Sequence, residues 1–161
     1  MMVNLKIDTK KPVQENFRGN GAVYHGYAGM PDDAGRVYDE QQCILEADRA
    51  ADMKLKIART FYGWYAYDAE NNTWNWNSHK MVIFCKWCER MKERNIDIAL
   101  QAGWCCPGDI NSTSWNGKSP FTVEGDWKKS VQNFAEWVSE SVHQLVEVRG
   151  FTNIKYLILF T

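Results

Sequence analysis

Hydrophobic and polar positions along the chain separate into short strand-like runs and longer helical stripes. Val3-Asn4-Leu5-Lys6-Ile7 alternates apolar with polar, the period of a half-exposed strand, and Lys11-Pro12 ends it. A glycine-punctuated run, NFRGNGAVYHGY, places a short strand on Ala22-Val23-Tyr24, and the Gly-, Pro- and Asp-rich AGMPDDAGR after it reads as a loop. Asp39 is positioned to cap a helix from about Glu40 to Met53, with Cys43, Ile44, Ala47, Ala50 and Ala51 on its narrow apolar face. Leu55–Phe61 reads as a second strand, and Tyr62 to Asn77 as a long aromatic loop. Ser78 can cap a helix whose apolar positions Met81, Phe84, Cys85, Cys88 and Met91 recur in steps of three and four, with Asn95 as its left-handed terminator. Ile96–Leu100 is the third strand, and a loop runs from Gly103 to about Gly125. Asp126 caps a long helix with Trp127, Val131, Phe134, Val138, Val142 and Leu145 on one face. Gly150 ends it before an almost wholly apolar fourth strand, Ile154–Phe160.

Strands that alternate with helices imply a parallel sheet with right-handed crossovers. An open doubly wound sheet fits 161 residues without strain, whereas a complete (β/α)8 barrel needs about 200 or more. Two features favour the barrel nonetheless. The chain stops at its most hydrophobic strand, whose continuous apolar run asks for cover on both faces. The loops after strand C-termini are long and aromatic while the returns after helices are short, which is how barrel enzymes build their active face. The expected fold class is therefore α/β, a partial (β/α)8 TIM barrel comprising its first four strands. Residues 1–15 form an N-terminal strand or extension, and residues 16–161 a half-barrel truncated at the end of strand four.

Composition narrows the partners. Lys and Arg number 19 against 20 Asp and Glu, a net charge of −1, and the charges are not clustered, so nucleic acid and anionic membrane lack electrostatic support. The longest apolar run, Tyr156–Phe160, is far shorter than the roughly 18–20 residues of a membrane span. The start, MMVNLKIDTKKP, has no apolar leader segment. Cys43, Cys85, Cys88, Cys105 and Cys106 are odd in number and two are adjacent, which suits buried thiols better than a disulfide framework or a zinc site. The chain as given reads as cytoplasmic, with a secreted parent left open. No cofactor or metal is expected.

The aromatic residues stand out: eight Trp, seven Tyr and seven Phe. At or just beyond strand ends fall Tyr24, His25 and Tyr27, then Arg59, Phe61, Tyr62, Trp64 and Tyr65, then Gln101 and Trp104, with Asp109 and Trp115 in the loop that follows. Indole and phenol rings suit sugar faces, whose C–H groups pack on a π surface while hydroxyls reach polar neighbours. The alternative for each ring is closure of the barrel mouth. Trp74-Asn75-Trp76-Asn77 alternates ring and amide, a stacking platform with hydrogen-bonding partners, whereas Trp127 and Trp137 lie on a helix and read as packing. Arg59 ends an apolar strand, where its fork of donors can orient a carboxylate or serve a structural pair. His25 is placed either to hold a carboxylate or sugar hydroxyl or to sit satisfied in the interior. The substrate-binding set expected from the strand ends is Tyr24, His25, Arg59, Tyr62, Trp64, Gln101 and Trp104.

Four segments, GNGAVYHGY, LKIARTFYGW, ERNIDIALQAGW and IKYLILFT, together resemble the first four strands of clan A retaining glycoside hydrolases, nearest to the cellulase-like and xylosidase-like families 5 and 39. The resemblance runs from roughly Asn16 to Thr161, and its most specific elements are the arginine at the end of strand two, matched by Arg59, and the ending of strand four. It implies a barrel acting on β-linked oligo- or polysaccharide. In the clan, strand four closes with Asn-Glu, the Glu being the general acid/base, and the nucleophilic Glu follows strand seven. Here the last residues are Leu159-Phe160-Thr161, so the acid/base is expected immediately after Thr161 and both glutamates are expected to lie outside the chain. The expectation is a sugar-binding half without hydrolytic activity of its own. A non-catalytic carbohydrate-binding half-barrel that dimerises through its open sheet edges is the alternative.

Overall fold

The computed structural model describes residues 20–23, 40–68, 70–102 and 120–159. The expected strand at Val3–Ile7, the Asp39 cap and the side chain of Cys43 lie outside the described residues, as do Cys105 and Cys106.

Among the described residues, ten elements follow in order. They are β1 (Asn20–Val23), α1 (Glu40–Asp52), β2 (Leu55–Tyr62), β3 (Tyr67–Asp68), β4 (Thr73–Trp74), α2 (His79–Glu93), β5 (Asp97–Ala102), α3 (Trp127–Val142), a π-helical segment His143–Val148, and β6 (Ile154–Ile158). The long strands form one four-stranded sheet in the order β1-β2-β5-β6, each neighbouring pair parallel. Spatial order thus equals chain order. A flavodoxin-like sheet, by contrast, runs 2-1-3 at its switch point.

The helices start and stop where local chemistry demands. Ser78 accepts from Met81 N at 3.2 Å and Asp126 from Lys129 N at 2.9 Å, each side chain satisfying one donor orphaned at a helix start. Asn95, at φ 56°, turns the chain out of α2. The helix that opens at Trp127 does not stay α-helical to Gly150: it widens to π geometry over His143–Val148 before Gly150, at φ 69°, ends it. At Gly21 a Cβ would lie 2.6 Å from Ile57 Cγ2, so glycine is what lets β1 approach β2.

One hydrophobic cluster fills the space between the sheet and its helices. Ala58 and Tyr62 of β2 and Ile98, Leu100 and Ala102 of β5 meet Ala47 and Ala50 of α1, Phe84, Trp87 and Met91 of α2, and Phe134 and Trp137 of α3. Asn153, buried at the entry to β6, donates through Nδ2 to the carbonyls of Cys88 (3.2 Å) and Ile96 (3.3 Å), tying α2, β5 and β6 together. Arg94 links the far end of α2 to Asp48 of α1, its Nε donating at 2.7 Å.

β6 departs from expectation. Its apolar run predicts cover on both faces, yet Tyr156, Leu157 and Leu159 are 46%, 43% and 41% exposed. Ala99 pairs in register with Tyr156 and Leu100 with Leu157, so the exposed side chains project from both faces of the strand.

Candidate functional site

The parallel register sets the site. Arg59 lies opposite Ala99, and Phe61 opposite Gln101, so these four residues share the sheet face that points away from the helical layer. Ala99 is small, which leaves the Arg59 side chain room to cross to β5. There its Nε donates to Gln101 Oε1 at 2.8 Å, and Nη2 donates to the same oxygen. A guanidinium has donors only, so the amide must turn its carbonyl to Arg59 and its two N–H groups elsewhere. Gln101 is 1% exposed and Arg59 partly exposed, so the pair anchors a cation at the rim of the face. The Arg59 guanidinium carbon also stands 5.3 Å from the centroid of the Phe61 ring, a cation–π contact. Donor-rich guanidinium, amide and apolar ring together suit a ligand rich in oxygen, whether hydroxyl or carboxylate.

Tyr62 faces the other way. One residue beyond Phe61, it projects into the helical layer, where its ring stacks on Trp137 (5.5 Å, 4°) and meets Phe84 (5.1 Å) and Tyr65 edge-on. Its hydroxyl donates to Met81 Sδ at 3.5 Å. Burial pushes its phenol far above the ordinary tyrosine range, with the neighbouring Ser141 hydroxyl pulling weakly the other way. At 1% exposure the ring is part of the core on the opposite face of β2 from Arg59. The strand-end position that made it a binding candidate says how far along the strand it sits, not which face it takes.

Trp64 is half-buried, edge-on to Phe121 at 5.7 Å. The expected loop from Tyr62 to Asn77 contains a small antiparallel ribbon, β3 pairing with β4, with Tyr67 opposite Trp74. Asn75 N donates to Ala66 O at 2.6 Å and Ser78 Oγ to Tyr65 O at 2.6 Å, so the ribbon is fastened to the start of α2. On α3, Trp137 is buried against Tyr62 at the end of β2, while Trp127 is 60% exposed. Tyr24, His25 and Trp104 lie outside the described residues, as do Tyr27, Asp109 and Trp115.

Two contributors escaped the sequence reading. Phe121 is the hub on which Trp64, Trp74, Phe134 and Trp137 converge. Arg149, at the end of the π-helical segment, donates through Nη2 to Trp76 O at 2.6 Å and so holds the ribbon against it. Neither has a local sequence signature, since both act across long separations in the chain.

No family model and no curated protein sequence matches the chain. Among solved structures, an endo-1,4-beta-mannanase from Rhizomucor miehei is similar at 15% identity and a TM-score of 0.49, over 88% of this chain and 42% of that one. An alpha-L-fucosidase GH29 from Bacteroides thetaiotaomicron is similar at 12% identity and a TM-score of 0.40, over 74% of this chain and 26% of that one. The chain spans less than half the length of either. Among the described residues, no helix is long and apolar enough to cross a membrane.

Proposed function

We propose that the sheet face carrying Arg59 and Gln101 binds a β-linked oligo- or polysaccharide, within a glycoside-hydrolase-like arrangement of strands. The observation that carries the reading is the Arg59–Gln101 pair itself: a guanidinium held by a buried amide at the ends of adjacent parallel strands. Sheet order equal to chain order supports the barrel half of the proposal, because in a (β/α)8 barrel each strand neighbours the next in sequence. The strand-end segments that resemble clan A glycosidases support the other half. Arg59 and Gln101 are assigned to binding, and Tyr24, His25, Trp64 and Trp104 join them as members read from the sequence alone, Trp64 packing on Phe121 rather than on Arg59. Tyr62 is left out, because its ring belongs to the core.

The assigned role is recognition. Retaining hydrolysis needs two carboxyl groups about 5–5.5 Å apart, one as acid/base and one as nucleophile. Within that chemistry Arg59 is a positioning residue, its forked donors orienting a carboxylate or ring hydroxyl. Calorimetric titration with cello-, xylo- and manno-oligosaccharides tests the reading. Arg59→Ala is expected to weaken binding at least tenfold, and an unchanged affinity counts against it.

A second reading rests on β6. Exposed Tyr156 and Leu157 on its two faces, with Leu159 just beyond its end, flank the outermost strand of the sheet among the described residues, the kind of surface that pairs with another copy of the chain. Self-association through this edge is compatible with glycan binding at the Arg59 face, since the two use different strands.

A further inference from the structure

On the helical side of the sheet, away from Arg59, the β3–β4 ribbon and α3 enclose a cleft of about 390 Å³. That lies within the usual range for small-ligand sites. Its aromatic wall is an offset stack of near-parallel rings, with Trp137 tilted 41° to Phe121 at its back. Trp74 is within 15° of parallel to Trp76 at 6.0 Å, and within 20° of parallel to Phe121 at 6.3 Å. Trp74 is 41% exposed, so its ring is open to a ligand.

Across from the rings, α3 presents Asn133, Glu136 and Glu140, whose spacing of three and four places them on one helical face. Each carboxylate accepts a hydrogen bond from a neutral glutamine, Glu136 from Gln132 at 2.8 Å and Glu140 from Gln144 at 2.9 Å, which leaves its charge in place. Among the described residues that line the cleft there is no Lys, Arg or His. Asn133 donates to Phe121 O at 3.2 Å, and Arg149 holds Trp76 from behind, so ring wall and acidic wall are fixed before any ligand arrives.

We infer that this cleft binds a glycan built of hexosamine units, pyranose rings that carry a protonated amine. The inference rests on the glycan-binding reading of the chain but uses a different site. A C–H face of the sugar packs on the exposed Trp74 ring, while the ammonium meets Glu136 and Glu140. Two carboxylates with no cationic partner among the described residues repel uronic acids and give neutral sugars no charge advantage. Near-parallel rings do not make the crossed walls that cage a compact quaternary ammonium.

The test titrates the chain with a hexamer of β-1,4-linked glucosamine, its N-acetylated form and cellohexaose, by calorimetry at mildly acidic pH. The glucosamine hexamer is expected to bind at least tenfold more tightly than the other two, with a preference that shrinks as salt rises. Glu136→Gln with Glu140→Gln should erase that preference, and Trp74→Ala should weaken hexosamine binding at least tenfold. Glu136 and Glu140 are exposed, and the thermal midpoint of Trp74→Ala, whose ring also touches Tyr67, Trp76 and Phe121, is measured beside its affinity. Equal affinity for all three hexamers, a preference that survives the double glutamine variant, or displacement of the glucosamine hexamer by an equimolar arginine-rich peptide overturns the inference. Loss of hexosamine binding in Arg59→Ala with Trp74→Ala unaffected also overturns it, by moving the ligand to the strand-end face. If Arg59→Ala leaves neutral-sugar binding intact while the cleft variants behave as expected, the proposed function fails and the cleft inference stands.

Discussion

Arg59 and Gln101 are joined across two parallel strands, Nε to Oε1 at 2.8 Å, although 42 residues separate them in the chain. The contact depends on register: one residue of slip between β2 and β5 would turn one partner to the opposite face of the sheet. A polar pair at the rim of an otherwise apolar sheet costs desolvation, which packing alone gives no reason to retain.

Removing the arginine should therefore be felt twice. Arg59→Ala takes two donors from the buried Gln101 oxygen, and about 1–3 kcal/mol of stability is expected to go with them. Arg59→Lys keeps the charge but cannot reproduce the fork, so it should recover only part of the stability and of the glycan affinity. Denaturant titration of both variants, and of each combined with Gln101→Ala, measures the coupling.

Tyr62 distinguishes core from site. Tyr62→Ala should cost about 3–5 kcal/mol, as for other large aromatic truncations in a packed interior. Tyr62→Phe keeps the stack on Trp137 and should leave oligosaccharide affinity unchanged. A loss of affinity in a stably folded Tyr62→Phe would place the hydroxyl in the binding site.

The same residue sets an alkaline limit. The Tyr62 phenol is held protonated in the folded chain above the ordinary value of 10.0 at which the unfolded chain ionises. Its contribution to stability is thus complete below pH 10 and is lost as pH rises from there toward the higher folded value. Unfolding followed across pH 9 to 12 should show a downward slope that Tyr62→Phe makes shallower.

Ser78 serves two bonds, accepting from Met81 N and donating to Tyr65 O. Ser78→Ala should cost about 0.5–2 kcal/mol through the lost cap alone. Ser78→Asp restores the acceptor but not the donor, and brings a charge against the Tyr65 carbonyl. Thermal unfolding should therefore rank serine above aspartate above alanine, and Ser78→Thr near the wild type.

Self-association through β6 predicts a concentration-dependent sedimentation coefficient. Leu157→Glu, on an exposed position, should shift the chain to monomer without lowering its unfolding midpoint by more than a degree or two. A wild-type chain that stays monomeric at high concentration contradicts the association reading.

Much of this architecture was legible in the sequence because it rests on local chemistry. The caps at Ser78 and Asp126, the left-handed turn at Asn95 and the four parallel strands each follow from short patterns that the structure reproduces. What escaped depends on pairings that no local pattern specifies. Tyr62 sits at the expected height but on the helical face, because alternation along the strand fixes parity while the packing of the helices fixes which parity is buried against them. The β3–β4 ribbon forms where Ala66 and Asn75 meet, and nothing in Tyr62–Asn77 announces that pairing. Likewise Phe121 and Arg149 gain their roles from Trp74 and Trp76, which no window of neighbouring residues contains.

The most direct test of the central claim is calorimetric titration of the wild-type chain and Arg59→Ala with β-1,4-linked oligosaccharides of cello, xylo and manno type. The account predicts measurable binding of at least one series, weakened tenfold or more by Arg59→Ala and unaffected by Tyr62→Phe. Equal affinity in wild type and Arg59→Ala, or no binding of any series, would contradict it.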